Sequence, residues 1–348
     1  MERFHPSKKI IGEVSWELKN KSVLLGVTGS AAAYKSIDIA RGLMRRGGEV
    51  YVVMSKEASK LIGPELLHWA TGNEVFVERF SGEVGHISLS EMCSSMVIAP
   101  ATASTINKIA HGIADTAVTL AALSFIGAGK SLLIVPAMHI QLYNSPQLQR
   151  SLRLLEDMGV SILPPIREGD KAKFPLVEDV VGKTVSLTLR GEDLKNKRIL
   201  VTAGPTREKL DEIRHLTNPS SGKMGLAIAR EAWYRGGTVK LILGPTPIKP
   251  PKQIEHISVE TTEEMFEVFV EEAKSFSPDI VVLAAAPLDY KFSKTFKGKI
   301  RSGSTIRVTL EPTPKIAEAA RQVATNSVII GFAAEILPKE ELVRSAMA

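Results

Sequence analysis

Short apolar runs followed by glycine- or hydroxyl-rich turns recur along this chain, at 22–27, 49–54, 96–99 and 131–135 and again at 199–203, 238–243, 279–284, 305–310 and 328–330. Most are unbroken by polar residues, as strands buried on both faces are. Stretches long enough for helices separate them, among them 223–235, 262–275 and 314–324. Strand, turn, helix and next strand in that order build a parallel sheet covered by helices. The polar segment RGEDLKNK at 190–197 interrupts the rhythm, which restarts at 199. The pattern therefore predicts an arm over 1–21, a first α/β domain over 22–191 and a second over 192–348, each a doubly wound parallel sheet. Each half also carries an Ile-Ala-Arg, at 39–41 and 228–230, leading to an Arg-Gly-Gly, at 46–48 and 235–237. Glycine pairs there can end a helix and release a strand, and shared fold grammar accounts for the echo as well as duplication does.

Composition narrows the class. A chain of 348 residues with 44% hydrophobic and 24% charged content can bury two cores of ordinary size. No apolar run reaches the roughly 18–20 residues that span a bilayer, since 117–129 is short and ends at Lys130. The start, MERFHPSKKIIGEVSWELKNK, lacks the apolar centre of a secretion signal. A soluble, cytoplasmic protein with no membrane partner is expected. The single cysteine, Cys93, excludes an internal disulfide and a cysteine-rich metal site, and it reads as a packed small residue or as a nucleophile. A net charge of +6 with only 5% aromatic residues, and no basic run interleaved with them, points to phosphorylated small molecules rather than nucleic acid.

Candidate chemistry gathers at the turns. In GVTGSAAAYK (26–35), Gly29 and Ser30 stand where backbone amides at a helix start can hold a phosphate, or where the chain simply bends tightly. The spacing is not the dinucleotide G-x-G-x-x-G, so a mononucleotide fits better than NAD, and an NAD-dependent oxidoreductase is disfavoured. Ser55 follows the second run, as ligand group or helix cap. Thr102, Ser104 and Thr105 follow the third in APATASTINK (99–108). His86 reads either as an acid-base group or as a solvated loop histidine. In the second half, TNPSSGKMG (217–225) is not a Walker loop, because Thr217 and Met224 occupy positions that motif reserves for glycine and a hydroxyl. Ser220, Ser221 and Lys223 still offer hydroxyls and a point charge at a helix start.

The set GVTGSAAAYK, HISL (86–89), APATASTINKIAHGIAD (99–115) and PAMHIQLYNSP (136–146) resembles the flavin-dependent cysteine decarboxylases, specifically the phosphopantothenoylcysteine decarboxylase half of bifunctional coenzyme A enzymes of archaeal type. The resemblance implies a flavodoxin-like flavin domain in which FMN is held by Gly29, Ser30, Ser55, Thr102, Ser104 and Thr105. It makes His86 the acid-base residue and places Met138 and His139 at the substrate carboxyl end. It implies a route in which FMN accepts a hydride from the cysteinyl thiol carbon, CO₂ leaves, and the hydride returns to give 4'-phosphopantetheine. Two departures stand out: His139 replaces an asparagine, and the flap cysteine is absent, EGDKAK (168–173) standing in its place. Lys171 and Lys173 are the candidates for its proton.

ILVTAGPTRE (199–208), TNPSSGKMG, AAAPLDY (284–290), KIR (299–301) and GFAAE (331–335) resemble the phosphopantothenate-cysteine ligases. The implied domain is Rossmann-like. The implied reaction joins 4'-phosphopantothenate to cysteine through an acyl-cytidylate, with CTP as co-substrate and Mg²⁺ on the triphosphate. Asn218 and Lys299 are the implied catalytic residues, Lys299 on a loop that closes over the nucleotide. Ser220, Ser221, Lys223, Ala285, Asp289 and Phe332 are implied to bind substrate, with the metal ligands unassigned. Here Pro314-Lys315 replaces a proline-aspartate, and the chain ends at Met347-Ala348 ahead of the family's last strand region, so the ligase half is expected to be incomplete. A homo-oligomer is implied, with flavin domains in trimers and ligase domains in dimers. The competing reading is a flavin-binding regulatory protein without turnover.

Overall fold

The first sheet starts from β1 (Ser22–Val27), which is buried along nearly its whole length. Parallel neighbours β2 (Glu49–Met54) and β4 (Ser95–Ala101) flank it, and β3 (Val75–Val77), β5 (Ser131–Pro136) and β6 (Ser161–Ile162) complete the order β3-β2-β1-β4-β5-β6. The order reverses between β1 and β4, and open α/β sheets bind ligands beyond the strand ends at such a switch point. The coordinates form a computed structural model describing residues 5–78, 85–168, 171–303 and 305–332, without the side chains of 85–88, Glu168 and Lys171. The described chain divides into two compact units, Met1–Asp193 and Leu194–Ala348.

Helices cover both faces of the first sheet: α1 (Ser36–Arg45), α2 (Lys56–Leu61), α3 (Pro64–Thr71), α4 (Gly85–Met92), α5 (Ala103–Ala110), α6 (Ala117–Gly127), α7 (Ile140–Tyr143), α8 (Pro146–Asp157) and α9 (Val177–Arg190). Their starts are local and chemical. Pro64 opens α3, whose C-cap Gly72 is left-handed at φ 72°. At α6 the Thr116 hydroxyl caps the Thr119 amide, and the Thr119 hydroxyl returns the bond. The core fills with Leu24, Met96, Ile98, Ile106, Phe125 and Leu155, and Cys93 is among them. A short ribbon, β7 (Ile166–Glu168) with β8 (Lys171–Lys173), lies apart from the sheet.

The second unit repeats the plan. Strand β9 (Arg198–Ala203) begins it, and the hairpin β10 (Arg207–Lys209) and β11 (His215–Thr217) follows. Then come α10 (Lys223–Tyr234), β12 (Thr238–Leu243), β13 (Glu255–Ser258), α11 (Thr262–Phe276) and β14 (Ile280–Leu283). The parallel sheet runs β13-β12-β9-β14-β17, β17 being Val328–Gly331, and α12 (Ile316–Val323) precedes that last strand. Numbered from its own first strand, this is the order of the first five strands of the other sheet. Both expected parallel-sheet α/β units are present.

One expected strand is absent. Residues 305–309 are irregular, and β16 (Leu310–Pro312) pairs only with β15 (Tyr290–Phe292) as an antiparallel ribbon. Ile306, Val308 and Leu310 are each more than 40% exposed. Apolar alternation makes a strand only where one face finds a core, and among the described residues it finds none here.

Candidate functional site

At the first switch point a buried threonine fastens the two strands that diverge. Thr28 Oγ1 donates to the Pro100 carbonyl at 2.8 Å and accepts from the Thr102 amide at 3.0 Å. Ser30 Oγ donates to the Ala137 carbonyl at 3.2 Å, tying the first turn to the end of β5. The loops after β1, β4 and β5 thus converge on two adjoining clefts that share Gly29 and Thr102. One, of about 780 Å³, is lined by Ser30, Met138, His139, Lys173 and Phe174 among others. The other, of about 820 Å³, is lined by Ser55, Ser104, Thr105 and Lys108, with Thr116 and Thr119 beyond.

Ser55 Oγ accepts from the Ala58 amide, so it caps α2 while facing the second cleft. Thr102 Oγ1 accepts from the Thr105 amide and bonds the Thr105 hydroxyl at 3.0 Å, capping α5. A residue can therefore fill both roles that sequence left as alternatives, because a cap uses one lone pair of a hydroxyl that has a second. His86 lies on α4, but its side chain is outside the described residues, as are Gly169, Asp170 and the Lys171 side chain. Cys93 is remote from this chemistry: burial pushes its thiol up to about 12, and its sulfur sits in the core. Of the described groups lining the first cleft, His139 and Lys173 are the titratable ones.

The clefts suit a phosphorylated flat ligand. A Cβ on Gly29 would stand 2.5 Å from the Glu57 Cβ, so a side chain would close the shared wall. The α5 N-terminus presents amides and hydroxyls there.

The second unit fastens its switch point the same way. Thr202 Oγ1 accepts from the Ala285 amide at 3.3 Å, and Thr206 Oγ1 accepts from the Leu288 amide at 2.9 Å and bonds the Thr262 hydroxyl at 2.8 Å. Three glycines then stack backbone on backbone. Gly204 and Gly222 are left-handed at φ 82° and 74°, a Cβ on Gly222 would meet the Gly204 Cα at 3.3 Å, and a Cβ on Gly244 would run onto the Pro205 carbonyl oxygen. Only glycine permits that approach.

Asn218 Nδ2 donates to the carbonyls of Ala286 and Pro287, at 3.2 and 3.0 Å, which joins the TNPSSGK loop to the end of β14 and sets Ala285 nearby. Ser220 Oγ accepts from the Gly222 amide, and the Ser221 carbonyl accepts from Thr246 Oγ1 at 2.7 Å. Thr246 was missed in sequence. Its signal was the repeat of Gly-Pro-Thr, at 204–206 after β9 and at 244–246 after the adjacent β12. Lys223 opens α10 and is exposed. Asp289 is also exposed and pairs with Lys315 at 2.6 Å, so the lysine found at 315 neutralises it. Phe332 is half exposed, and 333–335 lie outside the described residues. No group of three or more His, Cys, Asp or Glu among the described residues is placed to hold a metal.

Residues 11–189 match the Flavoprotein family, and 194–348 match the DNA/pantothenate metabolism flavoprotein C-terminal domain. The coenzyme A biosynthesis bifunctional protein CoaBC of Thermococcus kodakarensis is 40% identical over 98% of this chain and 85% of its own length. The chain belongs to the bifunctional CoaBC family of coenzyme A biosynthesis. The CoaBC proteins of Methanocaldococcus jannaschii and Bacillus subtilis are 38% and 31% identical over 99% and 95% of this chain, and over 84% of each of their own lengths. As a CoaBC protein the chain is a flavoprotein and an enzyme with decarboxylase and ligase activities, which the regulatory alternative is not. No described helix is long and apolar enough to cross a membrane.

Proposed function

We propose that the second unit ligates 4'-phosphopantothenate to cysteine through an acyl-cytidylate, using CTP, and that the first unit decarboxylates the product to 4'-phosphopantetheine with FMN. The observation that carries this reading is the pair of switch points, each fastened by a threonine hydroxyl and each opening on a helix start with a small N-cap residue, Thr102 for α5 and Gly222 for α10. In the first, the hydroxyls of Ser30, Ser55, Thr102, Ser104 and Thr105 with the Gly29 backbone would hold FMN. Bound there, FMN supplies the electron sink that lets a cysteinyl carboxylate depart as CO₂. His86 on α4 moves the substrate proton, and Met138 and His139 meet the carboxyl end. Lys171 or Lys173 returns a proton to the product carbon, Lys173 lining the first cleft and Cys93 being buried with a high pKa.

In the second unit a carboxylate must be activated before an amine attacks it. Asn218, clamped across Ala286 and Pro287, presents its carboxamide at the acyl-nucleotide. Lys223 and Lys299 stabilise charge that builds on the departing pyrophosphate. Ser220, Ser221, Ala285, Asp289 and Phe332 frame the nucleotide and substrate. Mg²⁺ belongs with the triphosphate, which such ions bind through phosphate oxygens and waters. A homo-oligomer with trimeric flavin units and dimeric ligase units, as the family resemblance implies, completes this reading. The cytoplasm, where these metabolites occur, is the compartment that fits.

The test is mass analysis of small molecules released on denaturing the purified protein, together with incubation in CTP, Mg²⁺, cysteine and 4'-phosphopantothenate. FMN in the release and pyrophosphate in the incubation are expected. Colourless protein unable to take up FMN would remove the decarboxylase reading, and absence of pyrophosphate would remove the ligase one.

A further inference from the structure

Lys299 is exposed, yet the backbone on both sides of it is tied down. The Gly298 amide donates to Glu212 Oε1 at 3.1 Å, the Ile300 amide donates to Asp211 Oδ2 at 3.1 Å, and the Ile300 carbonyl accepts from Arg214 at 2.9 Å. All three partners sit at the tip of one hairpin, β10–β11. The segment leading to Lys299 docks on the same hairpin, through the Phe296 amide to the Leu210 carbonyl at 2.9 Å and Thr295 to the Lys209 carbonyl at 3.3 Å.

Asp211 makes the tip rigid. Its Oδ1 accepts from the amides of Ile213 and Arg214, at 2.9 and 2.6 Å, and its side chain is fully buried. These bonds favour the carboxylate and hold its pKa below the usual value. The far end of the hairpin runs into the catalytic loop: Thr217 Oγ1 donates to the Thr206 carbonyl at 2.7 Å, and Asn218 is the next residue.

We infer that the tip of the β10–β11 hairpin, Asp211 with Glu212 and Arg214, is a latch that positions Lys299 relative to Asn218. The inference rests on the reading of Lys299 as a ligase residue. It makes these three positioning residues, acting through the backbone of 298–300 rather than on substrate. A buried carboxylate at 211 is otherwise costly, and an exposed loop has no need of three ties from one turn.

The experiment uses the full chain with Asp211→Asn, Glu212→Ala, Lys299→Ala and the double variant Asp211→Asn with Lys299→Ala. Pyrophosphate release and hydrogen exchange of the Gly298 and Ile300 amides are measured. Misplacing a catalytic group by about 1 Å can cost about 100-fold, so Asp211→Asn should lower kcat by about that factor, with a smaller change in KM for CTP. Both amides should exchange faster, and the double variant should be no slower than Lys299→Ala alone. Glu212→Ala, at an exposed position that leaves the core untouched, should give a loss of several-fold and faster exchange at Gly298. Multiplying losses in the double variant, or exchange unchanged in both single hairpin variants, would overturn the latch while leaving Lys299 in its role. Full turnover in Lys299→Ala would remove the role of the lysine itself, and the latch with it.

Discussion

The two units solve one problem with different materials. Both wind a parallel sheet outward from a central strand, and both bridge the resulting gap with a threonine hydroxyl, Thr28 to the Thr102 amide and Thr202 to the Ala285 amide. The first unit then lines its gap with hydroxyls that also cap helices. The second adds a hairpin and stacks glycines, so that its switch point is built of closely approaching backbone. The difference follows from the chemistry asked of each. On the proposed function, FMN would take a fixed, hydroxyl-rich seat, whereas a nucleotide consumed in the reaction would need charges brought to its leaving group.

The sharpest way to separate the units is through their proton and charge groups. His86→Asn should lower CO₂ release by about 10²–10⁴-fold, with FMN retained and pyrophosphate release unchanged. Lys223→Ala should do the reverse, lowering pyrophosphate release by about 10²–10³-fold while decarboxylation continues. Loss of both activities from either variant would show that the units do not work independently.

Smaller effects test the shared fastener. Thr28→Val leaves the Thr102 amide without its buried acceptor, and such a loss costs about 1–3 kcal/mol. Thr202→Val, whose bond is longer at 3.3 Å, should cost about 1 kcal/mol. Urea melts followed by flavin absorbance for the first unit and far-ultraviolet dichroism for the whole would reveal both. Equal costs would make the two fasteners equivalent. Gly225→Ala, which brings a Cβ to 2.5 Å from that of Ala203, should cost a further ~1–3 kcal/mol in the second unit alone.

The smallest effect concerns Cys93. Burial raises its folded pKa from 9.0 to about 12, so the thiol form is favoured in the fold. That contribution is complete below the unfolded value and is lost as pH rises from there toward the folded one. At pH 8 the thiol should resist alkylation until urea unfolds the first unit, and Cys93→Ala should leave CO₂ release within about two-fold. Rapid labelling of native protein would return Cys93 to the list of reactive groups.

The apolar runs of β1, β2, β4, β5 and β9 were legible because burial on both faces leaves a pattern in consecutive residues. The turns that follow them were legible for a similar reason: glycine and small hydroxyl residues mark tight bends, helix caps and close backbone approaches. Partners were not legible. Sequence left Ser55 open as cap or ligand, and only the fold shows it capping Ala58 while facing a cleft. Residues 305–309 have the alternation of a strand, but among the described residues they find no surface to cover. Nothing in the sequence marks Asp211, because the Ile300 amide that its carboxylate binds lies 89 positions away. Periodicity and turn chemistry are properties of neighbours in the chain, so the amino-acid order fixes them. Which amide a hydroxyl or carboxylate serves depends on segments brought together across the sheet, and that the tertiary structure alone decides.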